Sequence, residues 1–258
     1  MSKVNIKSPA EVELMRHSGK LLAQVFSMLD EYIKTGVSTM EINDLVEAYI
    51  VNTLNAIPAS KGQYGYEFVL NTSVNETVCH GVPSTMQRLK SRDIVNVDIT
   101  LSKNGFIADS SKMYVLEAAG VEAKRLVNTT YEALWKAIRI IKPGVTLGDI
   151  GYTIQTHAEA AGYSVVKEYC GHGIGREMHE APQVMHFGRK GSGLKLQAGM
   201  IFTIEPMINQ GKAKVKTKKD GWTVLTKDKK LSAQWEHTVL VTESGFEVLT
   251  LRDEEGIG

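Results

Sequence analysis

The sequence predicts an α+β fold in which a unit of two helices and a sheet occurs twice, and three observations carry that expectation. Two amphipathic helical segments end in closely similar strings, Ile33-Lys34-Thr35-Gly36-Val37-Ser38 and Ile141-Lys142-Pro143-Gly144-Val145-Thr146, set roughly a hundred residues apart. Each string leads into a capping box, Ser38 to Glu41 and Thr146 to Asp149, followed by another helical pattern. An acidic residue ends an apolar strand in both halves, Asp98 in the first and Glu205 in the second. The expectation is one domain over residues 1–258, duplicated internally, with halves of roughly 8–118 and 119–250 meeting at a seam that both can furnish with side chains.

The first helix is announced by Ser8-Pro9-Ala10-Glu11, a capping box with proline at the first helical position, and by Val12, Met15, Leu22, Val25 and Leu29 at near-helical spacing. A second long helix is expected from about Val121 to Ile141, where Val127, Tyr131, Leu134, Ile138 and Ile141 form one stripe. Between them, Val95, Val97, Ile99 and Leu101 alternate with Asn96 and Asp98, which predicts a strand with one apolar and one polar face. Asn104-Gly105 is a two-residue hairpin signal, so Phe106 to Val115 should return antiparallel to it.

Composition narrows the partners. With 43% hydrophobic and 23% charged residues the chain has ample material for a core, and 30 basic against 29 acidic residues leave no global field of the kind that DNA-binding or membrane-surface proteins carry. Lys212, Lys214, Lys216, Lys218 and Lys219 form one basic run, whose alternation fits the solvated outer face of a hairpin better than an RNA-contacting one. Cys79 and Cys170 are too few for a disulfide framework. No apolar run reaches the roughly 20 residues of a membrane span, and the N-terminus lacks an uninterrupted apolar signal region. A cytoplasmic location is expected.

In the hairpin register Asp98 faces Ser111, and Asp109 lies diagonally across on the same face, roughly 7 Å away at Cβ or less. Carboxylates that close on a buried face repel unless a cation or a shared proton intervenes; a solvent-facing polar surface is the alternative. Glu205 in Ile201-Phe202-Thr203-Ile204-Glu205-Pro206 and Glu236 in Gln234-Trp235-Glu236-His237-Thr238-Val239 add two more acidic residues in apolar strands, where an unpaired charge is costly. His172 sits in Gly171-His172-Gly173-Ile174-Gly175, which departs from the dinucleotide spacing and suits a metal ligand at a bend better than a phosphate loop. His80 falls in an expected loop and His179 follows His172 closely; His17, His157 and His237 read as structural.

Asn75-Glu76-x-x-Cys79-His80-Gly81-Val82-Pro83, Asn96-Val97-Asp98, Asp109-Ser110, the His172 loop, Thr203-Ile204-Glu205-Pro206 and Gln234-Trp235-Glu236-His237-Thr238 together resemble the type I methionine aminopeptidases over nearly the whole chain. The resemblance implies the pita-bread fold, two pseudo-symmetric halves with a curved antiparallel sheet covered by helices. It implies two divalent metal ions, bridged by Asp109 and Glu236, with Asp98 completing one coordination sphere and His172 and Glu205 the other. One imidazole among oxygen ligands suits cobalt, manganese, iron or zinc. The implied reaction removes an N-terminal methionine that precedes a small residue, from nascent chains and peptides, through a hydroxide bridging the metals. Glu205 would shuttle the proton, and His80 and His179 would hydrogen-bond the scissile amide and the oxyanion. Asn75 and Ser232 resemble a monovalent-cation site.

The chain departs from the family in its substrate pocket. Gln63 stands where the family commonly has tyrosine, Asn71 where it has cysteine and Met178 where it has phenylalanine, while Tyr66, Phe68 and Trp222 remain as candidate walls. Two other functions fit the same fold, an X-Pro peptidase and a non-catalytic binding module; the former usually carries an added N-terminal domain, and all five ligand types argue against the latter. The resemblance further implies a monomer acting on chains that emerge from the ribosome, with the lysine run as a candidate contact, in the manner of bacterial forms that lack a zinc-finger extension.

Overall fold

Ser8 accepts from the Glu11 amide while the Glu11 carboxylate takes the Ser8 amide, so the capping box that starts helix α1 (Pro9–Tyr32) forms as the sequence requires. A computed structural model of the chain describes residues 4–256. The same reciprocal pair, Ser38 with Glu41, starts α2 (Thr39–Ala48), and Thr146 with Asp149 starts α4 (Leu147–Ala160). Each such cap satisfies amides that the helix itself leaves unpaired and contributes about 0.5–2 kcal/mol. Helix α3 runs Val121–Arg139, two residues short of the sequence-based limit.

The hairpin forms in the expected register. Strand Ile94–Lys103 pairs with Phe106–Val115, setting Asp98 opposite Ser111 and Thr100 opposite Asp109. Its other edge pairs with Leu70–Val74, where Asn71 faces Asp98, and with the short strand Ile57–Pro58. A second sheet has the order Phe246–Val248, His237–Val241, Ile201–Ile204, Gly171–Gly173 and Glu180–Val184. Two three-stranded sheets lie beside these, and an antiparallel bridge from Ser111 to Glu236 ties the first large sheet to the residues entering the second.

Each helix pair covers one large sheet. Leu22, Val25, Phe26 and Leu29 of α1 and Ile42 and Val46 of α2 pack on Val95, Val97, Ile99 and Leu101, the face that alternation assigned to the core. Leu126, Leu134 and Ile138 of α3 and Ile150 and Ile154 of α4 pack on Phe202, Ile204, Val239 and Val241. Each such side chain contributes about 1.5–3 kcal/mol on burial. Gly19 lets α1 approach the chain near its end, since a Cβ there would lie 2.1 Å from the Leu249 carbonyl oxygen. With both apolar faces turned outward to helices, the polar faces of the two sheets are left to meet. Among the described residues, no helix is long and apolar enough to cross a membrane.

Candidate active site

Five acidic and imidazole side chains converge where the polar faces meet. Nε2 of His172 lies 3.7 Å from Asp109 Oδ2 and 3.5 Å from Glu205 Oε1. Ligand atoms of Asp109, His172 and Glu236 all fall within 4.8 Å of one another. Asp98 joins from the adjacent strand, diagonal to Asp109 across the ladder, and the two carboxyls interact. All five line one cavity of about 1130 Å³.

The backbone holds each of them. Thr238 Oγ1 donates to the Asp109 carbonyl at 2.7 Å and accepts from its amide at 3.2 Å, fastening the first sheet to the second beneath the site. Thr203 Oγ1 donates to Glu205 Oε1 at 2.9 Å and accepts from the His172 amide at 3.0 Å, and Gln234 Nε2 lies 3.4 Å from Glu205 Oε2. His172 Nδ1 faces the Gly173 carbonyl at 3.1 Å, which places the ring proton there and leaves the Nε2 lone pair directed at the carboxylates.

The glycines around His172 serve a different purpose from the expected bend. Residues Gly171–Gly173 form a short strand, and a Cβ on Gly171 would lie 2.3 Å from the Thr203 carbonyl oxygen and one on Gly173 2.1 Å from that of Ala181. Close approach on both sides is what demands glycine. Glu236 likewise sits between the strands Ser232–Gln234 and His237–Val241, at the bridge to Ser111, rather than within a strand.

Electrostatics suits this cluster to a cation. Burial pushes the carboxyl of Asp98 up to about 7, against hydrogen bonds from Asp109 and Asn71 that hold it down. Burial likewise raises Asp109, Glu205 and Glu236 well above the usual carboxylate range, and the neighbouring negative charges add to it. Burial lowers His172 to about 4, so its imidazole is neutral and able to coordinate. No Lys or Arg among the described residues pairs with these carboxylates at the cavity, and Asp109 Oδ1 is buried with no hydrogen-bond partner. Four carboxylates, one neutral imidazole and an orphaned buried oxygen fit divalent metal ions.

A protonated carboxyl must lose its proton to coordinate, so binding a divalent cation at about pH 6 is expected to release protons and to tighten as the pH rises toward about 8. Calorimetric titration in two buffers of different ionisation enthalpy checks this. A buffer-independent heat and a flat affinity over that range would contradict it.

The remaining cavity is lined by Gln63, Tyr66, Asn71, His80, Met178, His179 and Trp222, as well as Tyr64, Tyr169 and Cys170. Tyr66 and Trp222 stand 4.9 Å apart at 58° and form an aromatic wall. Phe68 does not line the cavity; it lies in a bend before the strand Leu70–Val74, its ring edge-on to Tyr66 at 5.6 Å. His80 has φ +54° and sets its ring edge-on to Tyr169 at 5.4 Å. His179 lies 4.5 Å from the His172 ring and beneath Tyr64 at 6.2 Å. Burial keeps both His80 and His179 below the ordinary histidine value, so they are neutral and can each donate one hydrogen bond.

Asn75 and Ser232 are joined by the Ser232 amide donating to the Asn75 carbonyl at 2.9 Å, but their side chains turn to Asp93 and Asn209, away from the main cavity. His237 is buried against Thr250 and Glu255, and His17 and His157 lie on α1 and α4, as their sequence context implies. Cys79 and Cys170 are free thiols. His186 gave no sequence signal, standing alone outside any motif. It is fully buried, and its Nε2 accepts the Glu205 amide at 3.1 Å while its Nδ1 has no partner.

The description metallopeptidase family M24 matches residues 13–243. Methionine aminopeptidase of Escherichia coli K12 is 49% identical over 254 residues, covering 98% of this chain and 96% of that one. Crystal structures of methionine aminopeptidases from Rickettsia prowazekii and Thermotoga maritima superpose with a TM-score of 0.94 each, at 45% and 40% identity, covering 96% of this chain and 100% and 99% of theirs. Prolidase from Pyrococcus furiosus shares the fold alone, with a TM-score of 0.77 at 23% identity, this chain spanning 66% of that longer one.

Proposed function

From the premise that the chain belongs to metallopeptidase family M24, among its methionine aminopeptidases, we propose that its cavity holds two divalent cations on Asp98, Asp109, His172, Glu205 and Glu236 and releases N-terminal methionine ahead of a small residue. The fold is the pita-bread fold and the activity is that of a metal-dependent aminopeptidase. The observation that carries the proposal is the meeting of all five side chains at one buried seam, with an aromatic and thioether-lined pocket opening beside them. In the same reading the chain is one domain with duplicated halves, roughly 8–118 and 119–250, for which the two helix-covered sheets are the support. Cobalt, manganese, iron and zinc all suit the ligand set.

Bound cations supply Lewis acidity that brings water toward ionisation near neutral pH and offsets charge on the substrate carbonyl oxygen. Glu205, whose burial favours the protonated form, takes the proton from the attacking water and delivers it to the departing amine. His80 and His179, neutral and at the cavity wall, donate to the scissile peptide and to its developing oxyanion. Tyr66, Trp222 and Met178 enclose the methionine side chain, a flexible thioether that packs well against aromatic edges. Asn75 and Ser232 are kept as a monovalent-cation site through their joined backbones.

Peptide turnover tests this directly. Chelated protein is expected to lose hydrolysis of Met-Ala-Ser and to regain it when divalent metal is restored, with Ala-Pro left uncut. Cleavage of Ala-Pro alone would move the chain to the prolidase-like reading.

The proposed setting is the cytoplasm, with the enzyme a monomer acting on nascent chains. Val215–Thr217 and Val224–Thr226 form a hairpin on which Lys212, Lys214, Lys216, Lys218 and Lys219 are all exposed, the solvated face their alternation implies, and a ribosome contact there is a further proposal. Neutralising these five lysines is expected to abolish cosedimentation with ribosomes at low salt while peptide turnover stays intact. Undiminished cosedimentation would remove the hairpin from the contact.

A further inference from the structure

The wall that would meet a methionine side chain carries more hydrogen-bonding groups than a thioether uses. Asp98 and Thr100 share one face of the strand Ile94–Lys103, and Asn71 is the register partner of Asp98 on the adjacent strand. The Thr100 hydroxyl is paired with that of Ser60 at 2.6 Å. Ser60, Asn71 and Thr100 line the same cavity as Tyr66, Met178 and Trp222, and Gln63 adds a second carboxamide. A two-residue step along a strand is about 7 Å. Thr100 is also the register partner of Asp109, so the hydroxyl pair stands at the edge of the carboxylate cluster, in the same cavity that would receive a methionine side chain.

A thioether is a weak acceptor and asks for none of these donors, whereas a carboxamide carries two N–H groups. Asn71 stands opposite Asp98 in register and lines the cavity, so its two N–H groups can serve the carboxylate and the cavity. A hydroxyl pair donates one hydrogen internally and retains another. Oxidising methionine to its sulfoxide turns the same side chain into a polar one with a strong acceptor oxygen, and an apolar slot that buries such an oxygen unpaired loses affinity.

We propose that this enzyme also releases N-terminal methionine sulfoxide, the sulfinyl oxygen accepting hydrogen bonds from the Asn71 carboxamide and the Ser60–Thr100 hydroxyl pair. The proposal rests on the reading that the cavity receives an N-terminal methionine. No redox step is involved: water adds across the peptide bond, the amine leaves with its proton, and the sulfur keeps its oxygen. The consequence is that a chain oxidised at its first residue before processing remains a substrate.

Chromatographic rates for Met-Ala-Ser and for the same peptide with an N-terminal sulfoxide test this on the metal-loaded protein, in wild type, Asn71→Leu and Ser60→Ala. The ratio of the two kcat/KM values is taken within each variant, so altered metal loading cancels. Wild type is expected to cleave the sulfoxide within about tenfold of the thioether, and each substitution to lower the ratio by about tenfold, the worth of one buried hydrogen bond. A sulfoxide peptide cut a hundredfold or more slowly by wild type, or a ratio that neither substitution moves, overturns the proposal and leaves the methionine reading standing. Failure to cut Met-Ala-Ser overturns both.

Discussion

Glu205→Ala is expected to lower kcat/KM for Met-Ala-Ser by about three orders of magnitude or more while leaving a folded protein, because two functions end together: a ligand and a proton carrier. Its carboxylate takes hydrogen bonds from Thr203 at 2.9 Å and Gln234 at 3.4 Å and lies 3.5 Å from His172 Nε2. None of these contacts crosses a hydrophobic core. Burial raises Glu205 well above the usual carboxylate range, so without metal the group costs the fold rather than supporting it. The chelated variant should therefore melt no lower than chelated wild type. Turnover within tenfold of wild type, or a collapse in melting temperature without metal, would contradict this assignment.

Arg252→Met is expected to have the largest effect on stability. The guanidinium is fully buried, donating to Glu255 Oε1 at 2.8 Å and Ser110 Oγ at 3.1 Å, with His237 Nε2 at 3.2 Å. It lies 5.2 Å from the Phe26 ring centre and 5.4 Å from that of Trp235. Burial pushes the Glu255 carboxyl up, but His237 and Arg252 outweigh it and hold it at about 2. Methionine fills the volume and leaves that carboxylate buried without its cation, a loss of about 3–5 kcal/mol. For a domain of this size, thermal unfolding should fall by roughly 10 °C.

The same change should reach the active site. Ser110 Oγ, held by Arg252, donates to the Glu236 carbonyl at 2.7 Å. Loosening it frees the backbone of a proposed bridging ligand, so divalent-cation affinity should weaken by about tenfold or more. A melting temperature within 2–3 °C of wild type, roughly the effect of 1 kcal/mol, would show that the network around Arg252 carries little of the stability.

Local signals explain what could be read in advance. Asn104-Gly105 fixes a two-residue turn, and with alternation on both sides it sets the register that brings Asp98 and Asp109 to one face. The three capping boxes are complete within four residues, so they too are legible. What escaped depends on contacts distant in sequence. Thr238 fastens Asp109 from 129 residues away, and His186 holds the Glu205 amide from 19. Neither residue sits in a pattern that announces a partner. Gly171 and Gly173 suggested a bend, because composition reveals that a side chain is missing but not which carbonyl occupies its place. Phe68 suggested a pocket wall; whether an aromatic ring faces a cavity or braces its neighbour is decided by packing. Ser60 and Thr100 belong to no motif, and only packing joins their hydroxyls across 40 residues of sequence.

The most direct measurement is anomalous diffraction from crystals of the metal-loaded protein. Two peaks per chain are expected, each about 2 Å from a carboxylate oxygen of Asp109 and of Glu236, with Asp98 completing one sphere and His172 and Glu205 the other. A single peak, or two peaks that share neither Asp109 nor Glu236, would contradict the dinuclear site.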